Sequence, residues 1–535
     1  MSNNLNKEVV IENLIIGAGP AGLQLGYFFK KNNIPYLILE RAEKCGSFFD
    51  KYPHARQLIS INKVHTGSDN KDFNLRHDWN SLINDEGLLF KDYSKEFYPS
   101  ADDLVRYLND FYKSNNLNIE FNTNVVKITK HLGQYKIFTS DNKIFICLKL
   151  IMATGFTKSS RPKLKHPANI KHYSDYEKGH FSNPETLEKY NNKKVAIFGG
   201  GNASFELANV LTNHCSHIHV INASKDYAIT SHYAGDLRSV YMPFLDSFFL
   251  KSLNCYSKDD YKNEPIDLMK IIRNDDNTLS ILDRNNEYVY GSVQLQKYDE
   301  IIFCTGWLFD DSIFDFKIDM SKDKKFPQIT SKFESTDHKN LYFIGTIAHS
   351  LDRKKSSGGF IHGFRYLIQF FLRINYDIPF VKTYIPYNND LSCYDILKDK
   401  ILTRINTASS IYQMFGVITD IFYYNKDTKQ IIYVEDIPDN IVPDYVTGNG
   451  SNINGFSKVM LKYKDSKDYN LNTHDIFVPD DPIFLHFYLS CFKIDDDKLL
   501  LIYDNKFADD LTADFSNKSL KDELTRCLYA CPLIF

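Results

Sequence analysis

Two glycine-rich segments, each placed between a strand-like and a helix-like run, constrain the fold of this chain more than any other feature. The first is Gly17-Ala18-Gly19-Pro20-Ala21-Gly22, and the second is Gly199-Gly200-Gly201-Asn202-Ala203-Ser204. A segment of this kind, following a buried parallel strand, is typical of a loop that binds a dinucleotide pyrophosphate at a helix N-terminus. Together they predict an α/β chain with two Rossmann-like dinucleotide-binding domains.

The first segment is followed by the other parts of a dinucleotide site in the expected order. An apolar run over 9–16 predicts a buried strand, and a helix pattern follows over 21–33. A second strand, 36–39, delivers Glu40 to the position where a carboxylate accepts the ribose hydroxyls of an unphosphorylated adenosine. We therefore predict an FAD site. Its expected contacts are Gly17, Gly19, Pro20, Ala21, Gly22, Glu40, Arg41, Ser47, Phe48, Val125 and Val126.

The second segment differs from the first at two places. Ser204 stands in the third glycine position, and the strand over 217–221 is followed by a polar stretch that contains Ser224 and Lys225 and no acid. A hydroxyl and an ammonium group suit a 2′-phosphate, so we expect NADPH in preference to NADH. The alternative is that these two residues form a polar loop without a ligand. The expected contacts are Gly199, Gly201, Asn202, Ala203, Ser204, Ser224 and Lys225.

Three strand-like runs that end in glycine indicate how the two sites are joined. The runs 150–155 and 301–306 both end in Thr-Gly and predict two crossings between a flavin domain and an inserted nicotinamide domain. The third, 341–345, closes the flavin domain. A helix that follows Gly359 would place its N-terminus where it stabilises negative charge on a reduced flavin ring. The expected contacts are Thr154, Gly155, Thr305, Gly306, Gly345, Gly359 and Phe360.

These patterns divide the chain into four parts. Residues 1–157 and 299–378 are assigned to the FAD domain, 158–298 to the inserted NAD(P)H domain, and 379–535 to a C-terminal α/β extension. The role of the extension stays open between a lid, a substrate platform and a contact in a homodimer.

The extension also has a periodic pattern of its own. Apolar residues recur at steps of three or four from 397 to 422 and predict one long amphipathic helix packed on the flavin domain. Strand-like runs follow at 430–434, 459–463 and 499–503.

Composition argues against several classes of protein. The formal net charge of −3 gives no electrostatic reason to bind nucleic acid or an anionic membrane surface. No stretch reaches the roughly 18 apolar residues of a membrane helix, and residues 1–7 show no leader pattern, so we expect a cytoplasmic protein. The nine cysteines are scattered in a way that indicates reduced thiols. We expect Cys527 and Cys531 to be core residues on one helix face, with a redox pair as the alternative, and we expect no metal site.

Several motifs resemble those of flavin-containing monooxygenases, within the flavoproteins that have two dinucleotide-binding domains. They are the second glycine-rich segment, Tyr98-Pro99 with the apolar residues after it, and Asn62 in Ser60-Ile61-Asn62-Lys63. The stretch 172–176 matches the monooxygenase signature only in part, since its Phe and Gly are missing. Stretches at 17–29, 73–82 and 355–366 resemble a vertebrate endoplasmic-reticulum branch of these flavoproteins. We do not extend a role in that compartment to this chain.

The resemblance implies an NADPH-dependent monooxygenase. Hydride from NADPH would reduce FAD, dioxygen would add to the flavin, and the peroxyflavin would oxygenate an amine, a thiol or a carbonyl of a small molecule. Asn62 would lie beside flavin and nicotinamide. The residues expected to make catalytic or polar contacts there are Asn62, His349 and His362, with His232 and Arg238 as further candidates.

Two other functions stay open. A reductase acting on a disulfide needs two thiols at the flavin. Cys45 lies near where such enzymes place the pair, but Asp50 occupies the partner position and Cys304 stands alone. The second alternative is a non-enzymatic FAD-binding protein whose C-terminal extension binds another protein.

Overall fold

The computed structural model describes residues 8–222, 256–260, 269–283, 285–287, 297–353, 355–387, 392–448, 453–463, 485–495, 498–507 and 518–530. Its first part contains β1 (Glu8–Ile16), α1 (Pro20–Lys31), β2 (Tyr36–Leu39), α2 (Ser47–Lys51), α3 (Lys71–His77), α4 (Ala101–Ser114), β3 (Ile119–Glu120), β4 (Val125–His131), β5 (Gln134–Thr139), β6 (Ile144–Met152) and β7 (Lys158–Ser159). The next part contains β8 (Lys171–His172), α5 (Pro184–Glu188), β9 (Lys194–Phe198), α6 (Asn202–Leu211), β10 (His217–Asn222), β11 (Tyr256–Asp260), β12 (Lys270–Arg273), β13 (Leu279–Leu282) and β14 (Glu300–Phe303).

The chain then returns to the first unit and continues into the extension. The return is made by β15 (Trp307–Leu308), β16 (Leu341–Phe343) and α7 (Ile361–Asn375). The extension contains β17 (Lys382–Pro386), α8 (Ser392–Thr407), α9 (Ser409–Gln413), β18 (Ile418–Asn425), β19 (Gln430–Pro438), α10 (Val442–Gly448), β20 (Gly455–Tyr463), β21 (Leu485–Asp495), β22 (Lys498–Phe507) and α11 (Lys518–Ala530).

The first unit is built on a seven-stranded sheet in the order β3-β2-β1-β6-β5-β4, with β16 paired to the last residues of β6, from Leu150 to Met152. β1 lies between β2 and β6 and is parallel to both. Leu14 and Ile15 are completely buried, as expected for a strand covered on both faces. The carboxyl end of β1 therefore delivers the first glycine-rich loop to the edge where open α/β sheets bind ligands.

The second unit repeats this arrangement on a five-stranded sheet, β11-β10-β9-β14-β8, in which every pair is parallel. β9 ends at the second glycine-rich loop, and β14 pairs with it from Glu300 to Phe303. The predicted α/β class with two Rossmann-like units is confirmed. The inserted sheet includes β14, which lies on the flavin-domain side of the expected boundary between residues 298 and 299. The short strands β7 and β15 pair with each other where the chain passes between the units.

The extension has a six-stranded antiparallel sheet, β17-β19-β18-β20-β21-β22. Its three predicted strand runs lie in β19, β20 and β22. One core cluster contains buried residues of both the flavin unit and the extension, so the two pack as one body, as the apolar stripe predicted. Cys527 is buried on α11, as expected, and Cys531 lies outside the described residues. Among the described helices, none combines the length and apolar character needed to cross a bilayer.

The prediction of one long helix from 397 to 422 is wrong. α8 ends at Thr407, and Ala408 is extended, with φ −64 and ψ 122. The amide of Ser409 there donates to the Asp72 carboxylate at 3.1 Å instead of continuing the helix. After α9, Gly416 has φ +69 and turns the chain into β18, whose β-branched and aromatic residues favour a strand.

Candidate active site

A single cavity of about 640 Å³ is lined by both glycine-rich loops. Gly19, Pro20 and Ala21 of the first loop and Gly201, Asn202 and Ala203 of the second belong to its wall. Both loops leave the carboxyl end of a parallel strand inside its sheet, β1 in the first unit and β9 in the second. The structure therefore brings together the two sites that the sequence predicted separately.

The first loop owes its shape to three glycines with different surroundings. Gly17 has φ +106, and a Cβ there would lie 2.8 Å from the Ala153 carbonyl oxygen. A Cβ on Gly22 would lie 2.0 Å from the Gly17 carbonyl oxygen, so α1 packs against the loop only because that position has no side chain. Gly19 has no protein atom within 4 Å of its Cβ position and faces the cavity.

Glu40 is buried at the end of β2, and its carboxylate is held by the loop itself. It accepts hydrogen bonds from the Ala18 amide at 2.7 Å and the Ala42 amide at 3.0 Å. Of the other expected FAD contacts, Phe48 lines the cavity and Ser47 begins α2 beside it. Arg41 is exposed after Glu40, and Val125 and Val126 lie on β4 away from the cavity wall.

The second loop has the same outline with different contacts. Gly199 has φ +130, and a Cβ there would lie 2.2 Å from the Cys304 carbonyl oxygen and 2.9 Å from Ser204 Oγ. Ser204 is completely buried in the third glycine position. Asn222, at the end of β10, packs so closely on Gly200 that a Cβ there would lie 2.5 Å from the Asn222 amide. Ser224 and Lys225, with His232 and Arg238, lie outside the described residues.

The two predicted crossings form another part of the wall. Thr154, Gly155 and Gly306 line the cavity, and the two glycines have φ +63 and +85. The Thr305 hydroxyl donates to the Ser160 carbonyl and ties one crossing to the other.

The entrance to α7 and the turn after β16 hold three further predicted residues. Gly359 and Phe360 line the cavity, and a Cβ on Gly359 would lie 2.8 Å from the His349 ring. Gly345 has φ +72, and a Cβ there would lie 2.6 Å from that of Ala21. Helix α7 thus points its N-terminal residues, Ile361 and His362, at the cavity.

The three residues expected to be catalytic have different positions. His362 is buried in the cavity wall and stacks on Trp79, with ring centroids 4.0 Å apart. Burial, with the Arg365 charge nearby, holds the pKa of His362 well below its usual range, so the ring is neutral near pH 7. His349 pairs with Asp352 at 3.0 Å behind Gly359. Asn62 is buried outside the cavity wall, where its amide donates to the Ser94 carbonyl at 2.9 Å.

An acid that the sequence analysis did not single out lies in the cavity wall on α6. Glu206 accepts hydrogen bonds from the Tyr173 hydroxyl at 2.8 Å and the Ala55 amide at 3.0 Å. Burial raises the pKa of its carboxyl to about 7, against the lowering by these two bonds. His172 and Tyr173, from the partly matching monooxygenase segment, also line the cavity.

The thiols do not form a pair at the site. Cys304 is the one cysteine among the described cavity-lining residues, and burial raises the pKa of its thiol. Cys45 is buried outside the cavity wall, where burial, with the Glu40 charge nearby, raises the pKa of its thiol to about 12. Neither thiol has the low pKa of a reactive cysteine.

Aromatic residues also line the wall at positions that were not predicted from the sequence. The chain has two tryptophans, Trp79 and Trp307, and both line the cavity. Trp307 directly follows the Thr-Gly of the second crossing, a signal available in the sequence. The extension contributes Tyr412, Gln413, Phe415 and Tyr463, none of which was assigned to the site from the sequence.

The residues present fit two dinucleotides. Gly19 and Gly201 leave open space on the cavity side of each loop, where a side chain would occupy the room a pyrophosphate needs. In the wall, Asn202 Oδ1 and His362 Nδ1 are buried without a hydrogen-bond partner among the described residues, as expected of groups that meet a ligand.

Fold and site together define a flavoprotein oxidoreductase with two dinucleotide-binding domains. Residues 14–345 match the pyridine nucleotide-disulphide oxidoreductase family, and the chain belongs to that family. It is an oxidoreductase of the type that uses FAD and NAD(P)H.

Two relatives named FAD-dependent oxidoreductase domain-containing protein 2 are similar to most of the chain. The Mus musculus protein is 33% identical over 501 residues, which are 87% of this chain and 72% of that protein. The Danio rerio protein is 34% identical over 521 residues, 89% of this chain and 73% of that protein. These matches confirm the resemblance to the vertebrate flavoproteins.

Among solved structures, the flavin-containing monooxygenase from Stenotrophomonas maltophilia has a similar fold. It matches with a TM-score of 0.51 at 16% identity, over 68% of this chain and 98% of that chain. At this identity the likeness shows the fold alone.

Proposed function

We propose that this protein is an NADPH-dependent flavin monooxygenase acting on a small molecule. The observation that carries the proposal is one cavity that joins both dinucleotide loops while its described lining holds a single thiol, that of Cys304. Electron transfer to a disulfide needs a reactive thiolate and a second sulfur at the flavin. The site therefore favours dioxygen as the electron acceptor.

The balance of the reaction is that of a monooxygenase. NADPH gives two electrons as hydride, one oxygen atom of dioxygen enters an amine, thiol or carbonyl substrate, and the other leaves as water, for which the overall reaction takes up one proton from solvent besides the hydrogen of the hydride. Bound FAD supplies the chemistry that passes these electrons to dioxygen. The protein supplies the binding of both dinucleotides, their orientation, and a wall that limits access of water.

Named residues would perform these tasks. Gly19 and the N-terminus of α1 would hold the FAD pyrophosphate, and Gly201 with the N-terminus of α6 would hold that of NADPH. The N-terminal amides of α7 favour negative charge at the cavity. His362, being neutral, adds a hydrogen-bonding group without a competing charge.

The preference for NADPH has support from Asn222. This amide stands at the end of β10, where Glu40 stands after β2, so the described part of the second site has no carboxylate there to repel a 2′-phosphate. A phosphate at that position would meet a neutral hydrogen-bonding group.

Rapid mixing tests the proposal with the FAD-loaded full chain. The protein is first reduced anaerobically with NADPH or, in parallel, NADH, and is then mixed with dioxygen. We expect faster bleaching of the flavin with NADPH, and an absorbing transient after dioxygen that differs from both the reduced and the oxidised flavin. Reoxidation without a transient, or no reduction by either nicotinamide, would contradict the proposal.

A further inference from the structure

The turn that joins β16 to α7 runs from Gly345 to Phe360, and residues near both of its ends line the cavity. Thr346 lies near its start and Gly359 near its end, and the Thr346 hydroxyl donates to the Gly359 carbonyl at 3.0 Å. Gly345 packs on Ala21 of the first glycine-rich loop. The turn therefore connects that loop with the N-terminus of α7.

A buried carboxylate, that of Asp352, holds this turn closed from the inside. One of its oxygens accepts a hydrogen bond from the Gly358 amide at 2.8 Å, and the other lies 3.0 Å from Nδ1 of His349. A Cβ on Gly358 would collide with the same carboxylate. Because an ionised carboxylate only accepts hydrogen bonds, Nδ1 of His349 carries a proton and donates to Asp352.

His349 is the one basic side chain that contacts Asp352 among the ion pairs of the described residues. Arg353, the next residue after Asp352, forms an exposed ion pair with Asp323 instead. A carboxylate buried without a cation is strongly unfavourable, whereas one that is paired and also accepts further hydrogen bonds is tolerated. The surroundings of Asp352 therefore favour a positively charged ring on His349.

Both charges lie directly behind the cavity wall. A Cβ on Gly359 would lie 2.8 Å from the His349 ring, so the ring packs on the backbone of a residue that lines the cavity. The Phe360 ring, also in the wall, meets the His349 ring edge to face at 6.4 Å. Neither His349 nor Asp352 belongs to the described lining itself. The pair can act on a bound group through its electric field and through the turn that it holds.

We propose that His349 and Asp352 form an ion pair that tunes the reduction of bound FAD from behind the wall, with His349 as a positioning residue. Hydride transfer converts NADPH to NADP⁺ and adds two electrons, one hydrogen and one negative charge to the flavin. The charged ring of His349 offsets Asp352, so that the N-terminal amides of α7 can stabilise this charge. Without that ring, the Asp352 carboxylate would oppose reduction. The inference rests on the proposed function, in which the flavin lies at α7.

A redox titration of the FAD-loaded full chain tests the inference. The ratio of reduced to oxidised flavin is read from absorbance in the absence of oxygen, at one solution potential set with a reference dye. His349→Asn can still donate an amide hydrogen bond to Asp352 but loses the positive charge, so we expect the ratio to fall about 10-fold or more. Asp352→Asn keeps an acceptor for the Gly358 amide and loses the negative charge. We expect its ratio to equal or exceed that of the parent.

Further variants separate charge from structure. The double variant of His349→Asn and Asp352→Asn has no charge at either position, and its ratio should lie within about threefold of the parent ratio. His349→Gln is a second neutral variant, and His349→Lys restores a cation and should return the ratio towards that of the parent. His338→Asn is the matched control, because His338 lies 3.6 Å from the carboxylate of Asp337 but outside the described cavity lining. Its ratio should be unchanged.

A purely structural role would change both single variants in the same direction, with loss of bound FAD or a lower urea midpoint in each. The inference is overturned if the ratio falls equally in both single variants, if it is unchanged in the neutral His349 variants, or if every His349 variant loses FAD. The proposed function is judged separately, on the parent protein. Failure of its reduction by NADPH or of the oxygen transient would contradict that function, whereas a parent that passes both beside unshifted variants would contradict this inference alone.

Discussion

The two dinucleotide loops have the same outline, and three of the matched positions at which they differ bear on their contacts, counted along the chain from the first glycine of each. Gly22 in the first loop corresponds to Ser204 in the second, Gln24 to Glu206, and Glu40 to Asn222. Gln24 is completely buried, and its side-chain amide both donates to and accepts from the Ile83 backbone. Glu206 instead reaches the cavity.

The first loop donates a hydrogen bond to a carboxylate at the end of its second strand, whereas the second loop has the neutral Asn222 there. In the first, the carboxylate at the strand end is hydrogen-bonded to the loop amide of Ala18, and no side chain fits at Gly22. In the second, Ser204 is completely buried, and a Cβ on Gly199 would lie 2.9 Å from its hydroxyl. We expect the first loop to retain FAD tightly and the second to exchange its nicotinamide, which suits a resident cofactor and a substrate.

The largest effect is expected at the third glycine position, where Gly22 of the first loop and Ser204 of the second should respond differently to substitution. Gly22→Ala puts a Cβ against the Gly17 carbonyl and should cost about 3 kcal/mol or more of stability, with loss of bound FAD. Ser204→Gly should leave FAD content unchanged. The measurement is the ratio of flavin to protein after purification, with a urea titration. Full FAD content in Gly22→Ala would contradict the expected difference between the two loops.

The second effect concerns Glu206, whose carboxyl pKa is raised to about 7 by burial from an ordinary value of 4.5. The folded state then binds the proton more tightly than the unfolded state, so this carboxyl favours folding most below pH 4.5 and loses that contribution as the pH rises to 7. The loss amounts to about 3 kcal/mol.

Glu206→Gln, which recreates the first loop's residue type, should remove this pH dependence. The measurement is the free energy of unfolding of both FAD-loaded proteins across that pH range. Glu185→Gln is the control, because Glu185 is exposed on α5. A parallel pH course for parent and Glu206→Gln would contradict the raised pKa.

A smaller effect is expected at the strand ends. Asn222→Asp gives the second site the acid that the first has in Glu40, and should shift the ratio of reduction rates with NADPH and NADH about 10-fold towards NADH. The rates come from anaerobic mixing at several nicotinamide concentrations. An unchanged ratio would mean that Asn222 does not contact the 2′-phosphate.

The smallest effect is expected for the cavity thiol. Cys304→Ala should change reoxidation of the reduced flavin by dioxygen less than about twofold, since the thiol takes no electrons. Cys147→Ala, at a buried cysteine on β6 outside the cavity wall, controls for packing. A loss specific to Cys304→Ala would give the thiol a redox role.

Much of the fold was predictable because its signals are local. The strand, glycine turn, helix and second strand around Gly17 follow one another within a short stretch of chain, and so do those around Gly199. The helix predicted from 397 to 422 failed for a tertiary reason. Asp72, distant in the chain, captures the Ser409 amide, and β18 is stabilised by pairing with β19 and β20.

The candidate site was predictable only in part. Gly19, Gly201, Gly306 and Phe360 were expected to meet ligands and do line the cavity. Asn62 was expected there by resemblance; its amide nitrogen donates to backbone carbonyls outside the wall, and its Oδ1 is buried without a hydrogen-bond partner among the described residues. Contributions such as those of Phe415 and Tyr463 depend on how the extension packs on the flavin unit, which no short motif encodes.

The most direct test of the proposed function offers the reduced flavin two acceptors. FAD-loaded protein is reduced anaerobically with NADPH and mixed with either dioxygen or oxidised glutathione, while flavin absorbance and free thiols are followed. We expect rapid return of oxidised flavin with dioxygen, and neither reoxidation nor new thiols with the disulfide on that time scale. Reoxidation by the disulfide with release of free thiols would contradict the proposal.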